Sequence, residues 1–293
     1  MKEIVVLSGK GGTGKTTITA ALAYHLQDQC IVADCDVDAA DMHLIFSNKI
    51  LEQRKFYSGK EAIIDREKCK NCGICEEKCR FDAIIPLSNY RKVDPFGCEG
   101  CGLCARLCPY DAIDMVDRFV GDFFISEIRT NTIMVHAKLL PGGENSGKLV
   151  VEVKNEANKQ AKLLNKKYII VDGSPGIGCP VIASLSGASF VLLVTEPTMS
   201  ALHDLKRIVL LLQKFQIDAG CIINKSDLNS EITQEVKEYL KENNIDMLAE
   251  FKYSKSFINA VKSGQAINEF DPYYTKDTIA DVWTKLEKLT DRK

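Results

Sequence analysis

An apolar, β-branched run from Glu3 to Leu7 stops at Gly9-Lys10-Gly11-Gly12-Thr13-Gly14-Lys15-Thr16, and Thr17 to Leu26 then sets Ile18, Leu22 and Leu26 on one helical face. The order is strand, loop, helix. Glycines here let backbone N–H groups converge without Cβ obstruction, and the helix start adds the positive end of its dipole, so the turn is built to hold an anion. The spacing Gly-x4-Gly-Lys-Thr suits nucleotide phosphates. Lys15 would reach the β- and γ-phosphates and the Thr16 hydroxyl would bind Mg²⁺, while Gly9, Gly11, Gly12, Thr13, Gly14 and Thr17 line the same cradle.

The strand-helix alternation recurs along the chain. A second buried strand is expected at Cys30 to Asp34, leading into the acidic stretch Asp34-Cys35-Asp36-Val37-Asp38. Others are expected at Tyr168 to Val171, Phe190 to Thr195, Ala219 to Ile223 and around Met247 to Phe251, with helices between them. Such alternation implies an α/β fold, a mostly parallel sheet with helices on both faces. Gly121 to Leu140 and Lys148 to Val153 read as further β-structure joined by the turn Pro141-Gly142-Gly143, followed by a polar helix through Lys166. At 293 residues there is room for one large core and a smaller domain. The division expected is 1–59 and 120–293 for the α/β part, with 60–119 inserted.

A composition of 45% hydrophobic and 27% charged residues with a net charge of -2 is that of an ordinary globular protein, without the basic excess that recruits nucleic acid. The apolar run at the start is too short for a signal peptide, and no stretch approaches the ~20 apolar residues of a membrane span, so a cytoplasmic location is expected. Near the C-terminus, Ile279, Val282, Trp283 and Leu286 fall at helical spacing. The polar face of that segment is not notably basic, so it is expected to pack on the core and not on a membrane.

Twelve cysteines without a secretory signal point to metal ligands and not disulfides. Cys69, Cys72, Cys75 and Cys79 follow the spacing x2, x2, x3, and Cys98, Cys101, Cys104 and Cys108 repeat it. The repeat extends to Phe81-Asp82-Ala83-Ile84 and Tyr110-Asp111-Ala112-Ile113. This is the bacterial ferredoxin run written twice, and in that run the fourth cysteine ligates the other cluster. Cys69, Cys72, Cys75 and Cys108 are therefore expected to hold one 4Fe-4S cluster, and Cys98, Cys101, Cys104 and Cys79 the second. Paired x2-x2-x3 spacing is not the usual zinc pattern. Arg80 stands where the second run has Pro109, which places a cation near the second cluster.

The stretch from Lys10 to Thr17 resembles the deviant Walker A P-loop of the MinD, ParA and nitrogenase iron protein families. That resemblance implies a P-loop ATPase, here with an inserted α+β ferredoxin-like domain. It implies that Lys10 crosses a homodimer interface to the partner's nucleotide. It also implies that Asp172, opening Asp172-Gly173-Ser174-Pro175-Gly176, is the Walker B aspartate that helps hold Mg²⁺, and that Asp36 orients the attacking water. Asn224-Lys225-Ser226-Asp227 resembles the base-recognition loop, where the Asn224 amide would contact adenine. Cys30, Cys35 and Cys221 read as small core residues. Cys179 lies at the offset where the nitrogenase iron protein carries a cluster-binding cysteine, but no second such residue is found, and a packed switch residue is expected.

Together these features imply ATP, Mg²⁺ and two 4Fe-4S clusters, a nucleotide-dependent homodimer, and a redox protein as donor or acceptor. The leading expectation is ATP-gated electron transfer through the clusters. Two other readings are a factor in iron-sulfur or metallocofactor assembly, and a MinD/ParA-like positioning ATPase with redox-sensing clusters.

Overall fold

The computed structural model describes residues 1–143 and 145–291. Two compact units divide the chain: Met1–Arg54 with Phe123–Lys138 and Ser146–Lys293, and Lys55–Asp122 with Leu139–Asn145.

The first unit is built on β1 (Lys2–Leu7), whose Ile4, Val5, Val6 and Leu7 are all fully buried. A strand with both faces apolar needs helices above and below it, which is the signature of a central parallel strand. Five more strands run parallel to it in one layer: β2 (Cys30–Asp34), β8 (Tyr168–Asp172), β9 (Phe190–Thr195), β10 (Ala219–Ile223) and β11 (Asp246–Glu250). Beyond β2 come β7 (Thr132–Leu139), also parallel, then β6 (Ile113–Ile128) and β3 (Asn48–Ile64). Among the described residues the sheet order is β11-β10-β9-β1-β8-β2-β7-β6-β3. Only Arg129-Thr130-Asn131 separates β6 from β7, a turn too short for a parallel crossover.

On one face Ile4, Val6, Ile170 and Leu192 pack with α1 (Lys15–Leu26) and α11 (Pro272–Thr290). Ile279, Val282, Trp283 and Leu286 of α11 all enter that core, and Trp283 meets Tyr168 edge-on at 4.7 Å. The apolar stripe near the C-terminus is thus spent on packing. The other face is covered by α5 (Ser146–Leu163), α6 (Cys179–Leu185) and α7 (Met199–Phe215). Here the reading of Lys148 to Val153 as strand is corrected, because those residues open α5. Leu149, Val153, Ala157 and Ala161 recur every fourth residue and are fully buried, so the longer period overrides the β-branched run.

Parallel packing aligns the carboxyl ends of β1, β8, β2, β9 and β10. The register Asp34↔Asp172 sets two aspartates side by side at that edge, next to the turn that leaves β1. Open α/β sheets bind ligands at this edge.

The second unit holds two short helices, α3 (Ile74–Glu77) and α4 (Leu103–Leu107), and the antiparallel hairpin β4 (Ile84–Pro86) with β5 (Arg91–Val93). The limits 60 and 119 expected from sequence both fall inside strands, β3 and β6. The sequence repeat is also a backbone repeat, with positive φ at Asn71 and Gly100, at Gly73 and Gly102, and at Asp82 and Asp111. Gly100 is obligatory, since a Cβ there would lie 2.2 Å from the Lys60 carbonyl. Ala62, Ala83, Cys98 and Ile113 form one apolar cluster of the unit, with Cys75, Cys79, Cys104 and Cys108 packed around it, and Phe56, Ile84, Ala112 and Val120 are buried as well. These are mostly small side chains, so burial alone stabilises the unit modestly.

Candidate nucleotide site and thiol cavity

The P-loop leaves β1 and ends at Gly14, which takes φ +97° before α1 begins at Lys15. A Cβ on Gly14 would come within 2.4 Å of Asn224 Nδ2, so neither the conformation nor the space admits a side chain. Lys15 is 5% exposed, and its Nζ lies 2.8 Å from Asp172 Oδ1 and 3.5 Å from Asp36 Oδ2. The Thr16 hydroxyl donates to Asp172 Oδ2 at 2.7 Å. The loops after β2 and β8 are tied together: Cys35 N donates to the Asp172 carbonyl at 2.8 Å, and Ser174 Oγ to the Cys35 carbonyl at 2.7 Å. Lys15, Thr16, Asp36 and Asp172, named from sequence, therefore meet at one place. Thr19 was not, yet its hydroxyl lies 2.9 Å from Asp172 Oδ1. One turn after Lys15 on α1, it could have been suspected from spacing.

Electrostatics favours added positive charge here. Burial pushes the Asp34 carboxyl well above the usual carboxylate range, and Asp172 adds to this while Lys15 opposes it. Burial also raises Asp36, again against Lys15 and with Asp172. Burial would depress Lys15, but Asp172, Asp36 and Asp34 outweigh it and hold its ammonium above the ordinary value. One cation among these carboxylates leaves a deficit that a hard divalent ion suits. The Thr13 hydroxyl is buried without a hydrogen-bond partner, a polar atom that an occupant of the turn could satisfy. Among the described residues no three His, Cys, Asp or Glu side chains are grouped to hold a metal ion. Mg²⁺ at phosphate sites ordinarily takes one or two carboxylates and completes its shell with phosphate oxygens and water, so Thr16 and Asp172 remain a fitting pair.

Two cavities adjoin at Gly12, Gly14 and Thr17. One, of about 530 Å³, is lined by Lys15, Thr16, Asp36, Asp38 and Ser174. The other, of about 370 Å³, is largely apolar and is lined by Asn224, Tyr253, Phe257 and Ile258. Asn224 donates to the Thr13 carbonyl at 2.8 Å, and Asp227 accepts from Tyr253 N at 2.6 Å, which holds the loop before α9 (Lys255–Lys262) against the second cavity. Tyr253, Phe257 and Ile258 carry no motif, and only the folded chain reveals them as walls for a planar base.

Lys10, expected to reach across a dimer, is held within its own chain by Glu196 at 2.7 Å, a residue that sequence reasoning left without a role. Cys30, Cys35 and Cys221 are fully buried, as expected of core residues. Cys179 departs from expectation. It is exposed, as the first residue of α6 directly after the extended Gly178.

In the second unit a cavity of about 260 Å³ is lined by Cys79, Cys98, Cys101 and Cys104, with Arg80 among the other lining residues. Burial raises the Cys104 thiol, and Cys98, Cys101 and Cys75 are close enough to add to this. Burial likewise raises Cys75, with Cys72 and Cys69 as neighbours. Cys108 Sγ accepts from Ala112 N at 3.4 Å. Cys75, Cys79, Cys104 and Cys108 pack around one small apolar cluster, and among the described residues no three of the thiols are grouped to hold a single metal ion. Each cysteine of a cubane binds a different iron, so its thiols stand further apart than those of one zinc, and the donor set fits such a group.

The family model for the CobQ/CobB/MinD/ParA nucleotide binding domain matches residues 4–267. An uncharacterized protein of Methanocaldococcus jannaschii, MJ0578, is 35% identical over 235 residues, which is 78% of this chain and 79% of that protein. The septum site-determining protein MinD of Synechocystis is 25% identical over 251 residues, 84% of this chain and 72% of that one. Among solved structures, MinD of Pyrococcus horikoshii complexed with Mg-ADP superposes with a TM-score of 0.57 at 17% identity, covering 98% of this chain and 96% of that chain. With the P-loop, Asp172 and Asn224 set at one edge of a mostly parallel sheet, the chain belongs to the CobQ/CobB/MinD/ParA family of nucleotide-binding domains, as a P-loop ATPase of the MinD/ParA type.

Proposed function

We propose that the chain is an ATP-hydrolysing switch of the MinD/ParA type, in which nucleotide governs homodimer formation and association with a target, and in which the second unit carries two redox-responsive 4Fe-4S clusters. The observation that carries the switch is the convergence of Lys15, Thr16 and Thr19 on the Asp172 carboxylate. Such an arrangement presents a cation for the terminal phosphates and an oxygen pair, Thr16 and Asp172, for Mg²⁺, which neutralises phosphate charge when bound. Asp36, with its carboxyl raised, sits where a water can be oriented, and Lys10 supplies charge to the partner's site. The relatives favour a positioning role, since MinD is named for septum-site determination. Cosedimentation of anaerobically purified protein with liposomes and with duplex DNA, with ATP, ADP or neither, tests it. Binding that appears with ATP alone supports positioning, and indifference to nucleotide with both surfaces rejects it.

A second reading, ATP-gated electron transfer, is favoured by one observation: four cysteines from the two runs, Cys79 with Cys98, Cys101 and Cys104, line a single cavity. Cys69, Cys72, Cys75 and Cys108 would hold the other cluster. Clusters chelated entirely within one chain suit passing electrons better than being handed on, which disfavours the assembly reading. Coupling of about 1–3 kcal/mol between linked sites would shift a potential by roughly 40–130 mV. Potentials that are equal with ATP, ADP and no nucleotide would reject this reading and leave the positioning one standing.

A further inference from the structure

β9 ends at Thr195, and the next residue, Glu196, is 7% exposed and carries a cation on each carboxylate oxygen. Oε1 lies 2.7 Å from Lys10 Nζ, and Oε2 lies 2.6 Å from Lys225 Nζ. Lys225 Nζ also donates to the Gly12 carbonyl at 2.9 Å. Lys10 Nζ donates to the Thr198 and Ser200 hydroxyls at 3.2 and 3.3 Å. One carboxylate therefore ties down the cation at the start of the P-loop and, through Lys225, the backbone at its middle. Burial acts to raise the Glu196 carboxyl, but its bonds to Lys10 and Lys225 outweigh burial and hold it below the ordinary range, so it is an anion at neutral pH. An ammonium whose donors are directed at Glu196, Thr198 and Ser200 of its own chain has none left for a second chain.

We propose that Glu196 is a positioning residue that docks Lys10 in its own chain and couples its release to the P-loop through Lys225. Dimer formation then takes Lys10 from Glu196, and the carboxylate stays paired with Lys225. The inference rests on the proposed role of Lys10 across the dimer.

Sedimentation velocity with Mg-ATP tests it on the full chain, comparing wild type, Glu196→Gln and Glu196→Asp. Removing the charge should tighten the ATP-dependent dimer about tenfold, within the range usual for coupled sites. That gain should shrink at ~0.5 M salt, because the restraint removed is ionic. Glu196→Asp keeps the charge and should stay within about twofold of wild type on the same scale. A folded Glu196→Gln protein that dimerises no more tightly than wild type overturns the proposal. If that variant lacks a cooperative melt, Thr198→Val combined with Ser200→Ala replaces it. A gain of about threefold then supports the docking, and no gain overturns it. A wild-type chain that never dimerises with ATP is a different result, and it removes the proposed function itself.

Discussion

Asp172 receives the Lys15 ammonium and the Thr16 and Thr19 hydroxyls, and Asp34 and Asp36 stand beside the same lysine. Replacing Lys15 with Ala leaves those carboxylates without their cation. ATP turnover should fall by roughly a hundredfold or more, measured as phosphate release at saturating Mg-ATP. Nucleotide-free stability should fall by about 3 kcal/mol in urea melts at pH 8. Burial holds Asp34 and Asp36 above the usual carboxylate range, so the folded state binds protons more tightly than the unfolded one. Stability therefore declines as pH rises through that range, and the Lys15→Ala defect should shrink at pH 5. Asn224→Ala frees the Thr13 carbonyl and removes a polar wall of the base cavity. It should raise the KM for ATP about tenfold while changing kcat by less than about twofold. Lys15 and Thr16 were legible because phosphate chemistry dictates their type and spacing, and Asp36 and Asp172 through the resemblance to the MinD, ParA and nitrogenase iron protein families. Tyr253, Phe257 and Ile258 were not, since a base needs only flat apolar walls and many residues supply them.

At the scale of elements, β2, β8, β9 and β10 could be placed because each is a short, largely apolar and buried run, whereas β3, polar along most of its length, and α5 were hidden. The opening of α5, Lys148-Leu149-Val150-Val151-Glu152-Val153, has strand-like composition, and its helical period emerges only with Ala157 and Ala161. The β6–β7 pair carries a polar cluster that no motif announced. His136 on β7 is buried, shares a hydrogen bond of 2.9 Å with Ser126 Oγ, and stacks on Phe124 at 5.0 Å and on His43 at 6.2 Å. Burial, with His43 adding, pushes its imidazole down to about 4. The unfolded chain then takes up a proton between about pH 6.5 and 4 that the folded chain refuses, so stability present above pH 6.5 is lost as pH falls. The His136 share of that loss should be about 3 kcal/mol, read in urea melts across that window as the difference between wild type and His136→Gln. His136→Gln should flatten the slope, and an unchanged slope would place the pH dependence elsewhere.

The whole molecule joins an ATPase of the MinD/ParA type to a cysteine-rich unit in which Ala62, Ala83, Cys98 and Ile113 form one small apolar cluster. The proposed clusters would add to the stability that so small an apolar cluster supplies. Anaerobic protein should carry about eight iron and eight sulfide per chain, two Cys₄ cubanes' worth. Cys101→Ala should lose about half of both, with its EPR signal reduced to one cluster, and full retention would refute the assignment of that cavity. The central claim is that Lys10 of one chain serves the nucleotide of another, and complementation tests it most directly. Lys10→Ala retains Lys15 but lacks the charge offered across the dimer, and Lys15→Ala retains Lys10 but lacks its own phosphate lysine. Each alone should be nearly inactive, and their mixture should recover ATP hydrolysis as heterodimers form. A mixture no more active than the sum of its parts, with ATP still bound by Lys10→Ala, would contradict the account.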